Sequence, residues 1–272
     1  MPLHLLGNDS AMNVICLANS YKHHDRCIAG IESTSGQWVR PVSDCEDGRI
    51  PKNDRFINVE KITLLDRVDI PINNKQKQGH EIENFRYTRG SWRITGKSHV
   101  SDLLRYCESD LLYPNYKQAI PYTYLKQNAP VRSLQLIEVK SLICLKNHWD
   151  KWKAVILDEQ YQLMDVELSI TDPMILSKLE QGESISNHAL LCLSLGQPWQ
   201  KTANDELLCY RLIAGVIELL PELEIILTEM NRIRWTTQQG QQYLGETFGK
   251  KSRYQLTQAE AIQFLNYLRS QP

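Results

Sequence analysis

Three strand-like runs stand within residues 14–42, which read VICLANSYKHHDRCIAGIESTSGQWVRPV. They are Val14 to Ala18, Arg26 to Ser33 and Gln37 to Val42. The residues between the last two runs, 33–36, are Ser-Thr-Ser-Gly, which are typical of a hairpin turn. Pro41 falls at the end of its run, where a strand tolerates a missing N–H. This stretch therefore predicts neighbouring strands of one sheet.

The same pattern continues outward on both sides of a Pro- and Tyr-rich stretch at 114–130. Further strand-like runs cover 56–70, 134–145, 152–157, 161–170, 189–195 and 207–219. Roughly ten short strands separated by turn residues favour barrels or sandwiches. One helix is expected in this part, from Ser101 to Leu112, because apolar residues recur there at helical spacing. Asp172 and Pro173 predict the capped start of another short helix.

After Pro221 the pattern becomes helical. A helix from Trp235 to Phe248 is expected to end at Gly249, and residues 257–260, Thr-Gln-Ala-Glu, form a capping box for the last helix. We therefore predict a mainly β (α+β) protein. It comprises a first barrel-like domain over 12–130, a second over 131–220 and a helical tail module over 221–272.

Charge is distributed unevenly although the net charge is only −1. Residues 52–132 carry 14 Lys+Arg against 9 Asp+Glu, and residues 133–227 carry 7 against 14. The last block, 228–272, is basic again, with 6 against 3. A polyanion would be attracted to the second and last blocks and repelled by the third. Such swings also occur by chance in domains without a charged partner.

The cysteine count and the length of the apolar runs indicate the cellular compartment in which the protein is expected. There are 7 cysteines, an odd number, and no Cys-x-x-Cys pair. Free thiols in a reducing cytoplasm fit this pattern better than a disulfide framework. No signal-peptide pattern opens the chain, and no apolar run is long enough to span a bilayer. We therefore expect a cytoplasmic protein with no membrane partner.

Several motifs carry a family resemblance. They are Cys16 to Lys22, Arg26 to Gly30, Trp38 to Ser43, Thr171 to Pro173, Leu193 to Trp199 and Cys209 to Gly215. They resemble the bacterial dual OB-containing domain family over about residues 12–220. The resemblance implies two tandem OB-type barrels and a role in nucleic-acid recognition, within prokaryotic defence or repair. The tail, from Trp235 to Thr257, is similar to helical modules appended to cyanobacterial proteins and to some phage recombination proteins.

An OB barrel that binds single strands combines a basic groove with aromatic platforms for base stacking. On this basis the candidate nucleic-acid contacts are Lys22, Arg26, Trp38, Arg40, Arg86, Tyr87, Arg89, Trp92, Arg93, Lys97, Lys250, Lys251 and Arg253. The stretch from Arg86 to Lys97 interleaves cations and aromatic residues most densely. A solvated loop is the alternative there, and a packing role is the alternative for the tail cations.

Trp38 and Arg40 share one face of their strand because side chains alternate along a strand. If that face points outward, the two residues form a stacking and phosphate-binding pair. If it points inward, Trp38 fills the barrel and Arg40 bonds within the protein. The sequence leaves both alternatives open.

No residue pattern indicates a metal, a cofactor or a catalytic centre. His23, His24 and Cys27 match no standard zinc spacing. A glycine-rich phosphate loop, a nucleophile elbow and a His-Glu-x-x-His motif are all missing from the sequence. The expected function is therefore non-enzymatic binding of single-stranded DNA or RNA. The alternative is a protein-interaction or regulatory adaptor that uses the acidic second barrel, and an enzyme with an unfamiliar site is the least supported hypothesis.

Overall fold

The computed structural model describes residues 11–54, 57–75, 81–88, 90–128 and 132–272. Six strands belong to the first half: β1 (Ala11–Lys22), β2 (Asp25–Glu32), β3 (Trp38–Val42), β4 (Asp66–Lys75), β5 (Asn84–Tyr87) and β6 (Arg93–Lys97). They pair in the order β1-β2-β3-β5-β4, and β4 returns to pair with β1. This closes a five-stranded barrel, on whose β4 the strand β6 is added.

A short connection, β7 (Ala119–Pro121) and α1 (Tyr122–Gln127), leads to the second half. Its strands are β8 (Leu134–Val139), β9 (Leu142–Lys146), β10 (Trp152–Ile156), β11 (Leu168–Ile170), β12 (Ala189–Leu195) and β13 (Leu208–Glu218), and α2 (Pro173–Glu180) lies between β11 and β12. They pair in the order β8-β12-β13-β11-β10-β9. Because β8 and β9 are consecutive in the chain, the two ends of this sheet meet through residues 140–141. With β8 and β9 taken as one broken strand, the strand order repeats that of the first barrel.

The two barrels share a hydrophobic core. On β1, Val14 and Cys16 point into the first barrel, whereas Ile15 and Leu17 point towards the second. On β12, Leu191 packs inside the second barrel, and its neighbours pack against β1 and β2. We call the layer between the barrels the shared core: Ile15, Leu17, Ile31, Trp38, Leu134, Leu136, Leu190, Cys192, Ala214 and Ile217. Both faces of these central strands are buried, which explains their continuous apolar sequences.

The tail consists of α3 (Glu222–Arg232), α4 (Thr237–Phe248) and α5 (Gln258–Ser270). The expected caps are confirmed: Gly249 ends α4 in the left-handed conformation, at φ 66°, and Thr257 with Glu260 forms the capping box of α5. Asp172 likewise caps α2, with Pro173 in its first turn. Among the described residues, no helix is long and apolar enough to cross a bilayer.

Several local details differ from the sequence-based expectations. The strand-like run at 56–70 contains a 3-10 turn at 59–61 before β4 begins at Asp66, and the run at 161–170 becomes a strand only at Leu168. The helix predicted from Ser101 to Leu112 is wrong, because the chain forms two 3-10 turns at 100–102 and 104–106 and is extended by Cys107. The Glu108 N–H then donates to the Leu136 carbonyl at 2.9 Å, a pairing that a continued helix would prevent. In addition, β7 lies inside the predicted first domain but pairs with β13 of the second barrel. The predicted boundary between 130 and 131 falls outside the described residues.

Candidate functional site

A cleft of about 420 Å³ lies between the two barrels. The first barrel contributes the end of β1 and the β1–β2 turn, and the second contributes the end of β12 and the loop that follows it. The cleft is lined by Ser20, Tyr21, Lys22, His23, Cys27, Arg40, Glu81, Thr171, Ser194, Leu195, Gly196, Gln197, Pro198, Trp199, Leu212 and Ala214. Neither barrel alone supplies both walls.

Arg40 lies at the floor of the cleft and is 2% exposed. Its Nη1 stands 2.9 Å from Glu81 Oε1. Its Nη2 donates to the hydroxyl oxygens of Ser133, at 3.0 Å, and Ser194, at 3.2 Å, both in the second barrel. Burial opposes the charge, but Glu81 and other neighbouring anionic groups outweigh it and raise the pKa of Arg40 above its usual value. Arg40 is therefore a charged link between the barrels.

Two exposed aromatic side chains stand at the rim of the cleft. Tyr21, at the end of β1, is 46% exposed, and Trp199, in the loop after β12, is 55% exposed. The Trp199 ring is held edge-on by Tyr210, with 5.9 Å between the ring centroids. Because the two rings come from different barrels, the cleft can offer apolar contact from both of its walls.

The polar groups of the rim converge on Asp47, in the loop after β3. The Lys22 ammonium and the Gln197 amide both donate to the Asp47 backbone carbonyl, the latter at 3.2 Å. His23 Nε2 lies 3.7 Å from the Asp47 carboxylate. Lys22 and Gln197 come from different barrels, so this loop joins the two walls of the cleft.

Arg26 lies beneath Tyr21 and is 8% exposed. Its guanidinium carbon stands 4.7 Å from the Tyr21 ring centroid, and its Nη2 is 3.4 Å from Glu60 Oε1. Its Nε and Nη1 have no hydrogen-bond partner among the described residues. Arg26 thus supports the Tyr21 ring from within the first barrel, outside the cleft lining.

The outward-facing alternative for Trp38 and Arg40 is wrong. Trp38 is 7% exposed and packs in the shared core, so no base can stack on its ring. Arg40 is bonded inside the protein, as described above, and is not a surface phosphate contact. Both faces of β3 are buried because the second barrel covers the side that solvent would otherwise reach.

The predicted basic and aromatic stretch from Arg86 to Lys97 runs from β5 to β6, and its described cations are exposed but paired. Arg86 forms an ion pair with Asp44, Arg93 with Asp69 at 3.1 Å, and Lys97 with Asp66 at 3.8 Å. Tyr87 and Trp92 pack edge to face, with 5.4 Å between the ring centroids. Arg89 lies outside the described residues. The paired carboxylates reduce the attraction of this surface for a polyanion.

The tail cations have varied environments. Lys250 Nζ lies 3.9 Å from Glu260 Oε1, and Lys251 is exposed. Arg253 lies over the Tyr254 ring, and its Nη2 donates to the Tyr254 hydroxyl at 2.8 Å. The turn at 253–255 packs against the turn at 100–102, close in the chain to Lys97. The structure therefore brings the end of the basic stretch near the tail.

Of the candidate contacts that the structure describes, Lys22 and Arg40 are the two that line the cleft. Sequence reasoning used Trp199 and Gln197 only for the family resemblance and did not select them as contacts. The available signal was a large aromatic residue directly after Pro198 in a polar loop. The position of Trp199 opposite the β1–β2 turn depends on how the barrels dock, which local sequence does not specify.

A family model described as a dual OB-containing domain matches residues 12–216. The chain belongs to the dual OB-containing domain family. The match covers both barrels and ends near the end of β13, just before the helical tail. It confirms the resemblance and the expectation of two OB barrels in tandem.

Beyond the family, the chain is similar to an uncharacterized protein, slr1353, of Synechocystis sp. (strain ATCC 27184 / PCC 6803 / Kazusa). The two are 48% identical over 44 residues, which is 16% of this dual OB chain and 15% of the relative. No solved structure matches the chain.

Proposed function

We propose that this dual OB protein is a non-enzymatic single-stranded nucleic-acid-binding protein, and that the cleft between its barrels holds the strand. The observation that carries the proposal is the placement of the exposed rings of Tyr21 and Trp199 at one cleft. Aromatic platforms beside cationic groups bind single strands with little dependence on sequence, because every base has a face to stack.

The barrel topology supports this location. OB folds bind oligonucleotides through the loops between strands 1 and 2 and between strands 4 and 5. In the first barrel, Tyr21 to His23 lie where β1 turns into β2. In the second barrel, Trp199 lies between β12 and β13, which are the fourth and fifth strands along the chain when β8 and β9 are counted as one broken strand. The cleft therefore unites one binding loop from each OB barrel.

Size and charge favour a flexible single strand. The volume of about 420 Å³ lies in the range of ligand pockets, about 300–1,000 Å³, and is too small for a duplex. Lys22 stands at the rim, and Lys52 Nζ lies 5.5 Å from the Tyr21 ring centroid. With a net charge of −1, attraction of a phosphate backbone depends on such local groups.

The test is fluorescence anisotropy with labelled single-stranded DNA and RNA at low salt, using the full chain and two tryptophan variants. Losing one stacked base costs about 1–3 kcal/mol, so Trp199→Ala should weaken binding by about 5-fold or more. Trp149→Ala is the matched control, because Trp149 is 70% exposed but lies outside the cleft lining.

The absence of measurable binding to either nucleic acid at low salt would refute the function. Binding that depends on Trp149 and not on Trp199 would leave the function intact but move the site to the β9–β10 turn. A role in prokaryotic defence or repair is the part of the proposal carried over from the family resemblance, and a reducing cytoplasm is the part carried over from the cysteine pattern. All 7 cysteines are free in the structure, which is compatible with that compartment.

The alternative function, a protein-interaction adaptor, is supported by apolar side chains exposed on the second barrel. Ile143, Trp149, Met164 and Met174 are 47–70% exposed. Acidic residues outnumber basic ones in this part of the chain, which suits a basic protein partner. Nuclease-resistant, stoichiometric recovery of one partner by the intact chain, lost in Trp149→Ala and Met174→Ala, would favour this alternative.

A further inference from the structure

One histidine and two glutamates from separate elements converge where the tail meets the second barrel. Glu138 lies on β8, His188 immediately precedes β12, and Glu224 lies in the first turn of α3. Each offers one ligand atom, and these three atoms lie within 4.8 Å of one another. Two carboxylates are thus held near one buried imidazole.

The local contacts leave a ligand position open in this group. His188 Nε2 is 2.8 Å from Glu138 Oε1 and 3.9 Å from Glu224 Oε1. The imidazole of His188 is 98% buried, being 2% exposed. Glu224 Oε1 is buried without a hydrogen-bond partner among the described residues, although Lys140 Nζ lies 3.2 Å from its other oxygen, Oε2. An unsatisfied buried carboxylate oxygen is costly unless a cation or donor reaches it.

We propose that Glu138, His188 and Glu224 form a binding site for a divalent transition-metal ion, with Zn²⁺ as its ion. Imidazole nitrogen with carboxylate oxygens suits Zn²⁺, whereas Mg²⁺ and Ca²⁺ favour oxygen ligands alone. Three protein ligands leave a fourth, tetrahedral position for water. Zn²⁺ at about 2.0–2.2 Å from each ligand atom requires the ligand atoms to lie about 3.4 Å from one another. Side-chain shifts of about 1 Å bring the three ligand atoms to about that separation.

The residues around the site hold its two carboxylates in place, whereas His188 Nδ1 is buried without a hydrogen-bond partner among the described residues. The Tyr254 hydroxyl donates to Glu138 Oε1 at 3.0 Å, and Lys140 fixes Glu224 Oε2. Metal binding replaces the hydrogen bond between His188 and Glu138, since His188 Nε2 then offers its lone pair to the ion. Two ligands belong to the second barrel and one to the tail, so the ion fastens α3 to β8 and β12.

The test uses the intact chain after treatment with a chelator and desalting. Isothermal titration with ZnCl₂ should show saturable one-to-one binding, and Zn²⁺ should raise the unfolding temperature. Glu224→Gln should weaken Zn²⁺ binding by at least about 10-fold, because ligand and outer-shell changes typically cost about 10- to 100-fold. Glu222→Gln, in the same helical turn and with the same charge change, is the matched control and should bind Zn²⁺ like the unmodified chain.

Two further measurements keep the proposal falsifiable if a variant is unstable. Hydrogen exchange in the first turn of α3 should slow when Zn²⁺ is added to the unmodified chain, but not to Glu224→Gln. Mg²⁺ in excess should not displace Zn²⁺. A titration without saturable Zn²⁺ binding would overturn the site, as would Zn²⁺ binding that survives in Glu224→Gln but is lost in His23→Gln. These readouts involve no nucleic acid, so they stand apart from the proposed function.

Discussion

Gly215 on β13 lies directly against the backbone carbonyl of Leu17 on β1. A β-carbon at position 215 would stand 2.1 Å from that oxygen. The contact joins the fifth strand of the second barrel to the first strand of the first, at the edge of the shared core. Because both partners are backbone atoms of central strands, neither can move aside alone. The docking of the two OB barrels therefore requires a residue without a side chain at position 215.

Gly215→Ala should lower the free energy of unfolding by about 3 kcal/mol, the upper end of typical overpacking costs. Urea unfolding followed by circular dichroism measures it. Gly245→Ala is the control, since that exposed position in α4 has only the Lys250 carbonyl oxygen at 4.0 Å from the added carbon. The free energy of unfolding of the control should rise by about 0.5–1 kcal/mol, because alanine has a higher helix propensity than glycine. Equal losses in both variants would contradict the close approach.

Arg40→Met should destabilise the protein by about 3–5 kcal/mol, because it removes the guanidinium that faces the buried Glu81 carboxylate. It also removes the bonds to Ser133 and Ser194 that link the barrels. Arg93→Met provides the comparison: its ion pair with Asp69 is exposed, and such pairs contribute less than about 1 kcal/mol. Thermal unfolding of the two variants should differ clearly, and similar midpoints would count against Arg40 as a link.

Asp69 should make stability depend on pH in the acidic range. The Asn13 amide, 2.7 Å from Asp69 Oδ1, and the Arg93 guanidinium hold the pKa of this carboxyl below its usual value. A lowered pKa in the folded state stabilises the protein above the unfolded-state pKa of about 3.9, and this contribution is lost as the pH falls through the folded-state pKa. The stability gap between the unmodified chain and Asp69→Asn, measured by urea unfolding, should therefore shrink from neutral pH to about pH 3. A stability difference that does not change with pH would mean that Asp69→Asn acts through packing and not through the charge of Asp69.

Lys22 should contribute more than Arg93 to the salt dependence of nucleic-acid binding. Lys22 lines the cleft and donates to a backbone carbonyl, whereas Arg93 already faces a carboxylate. Each phosphate contact on a single strand changes the slope of log affinity against log salt by about 0.7. Lys22→Met should flatten the slope by about that amount, and Arg93→Met should leave it nearly unchanged. The opposite ranking would place the nucleic-acid strand on the basic stretch from Arg86 to Lys97.

The strands and caps could be predicted because their causes are local. The apolar run at 14–18 lies within β1, and the run at 189–195 forms β12. Asp172, Gly249 and Thr257 take the cap positions that their side chains or backbone favour. The helix expected from Ser101 to Leu112 does not form, because local spacing did not distinguish it from the structure observed. Apolar residues three or four apart also suit successive 3-10 turns, and the pairing of Glu108 with Leu136 is a long-range contact.

The amino-acid sequence by itself therefore determined a mainly β chain of short strands followed by a helical tail, because strand periodicity, turn residues and caps act within a few residues. The two OB barrels were implied by the resemblance of its motifs to the dual OB-containing domain family. Only the tertiary structure decided which side chains reach solvent. Alternation places Trp38 and Arg40 on one face of β3, but the second barrel covers that face and buries both. The same docking brings Trp199 beside Lys22 and Tyr21. A cleft between barrels arises from contacts far apart in the chain, which no local pattern encodes.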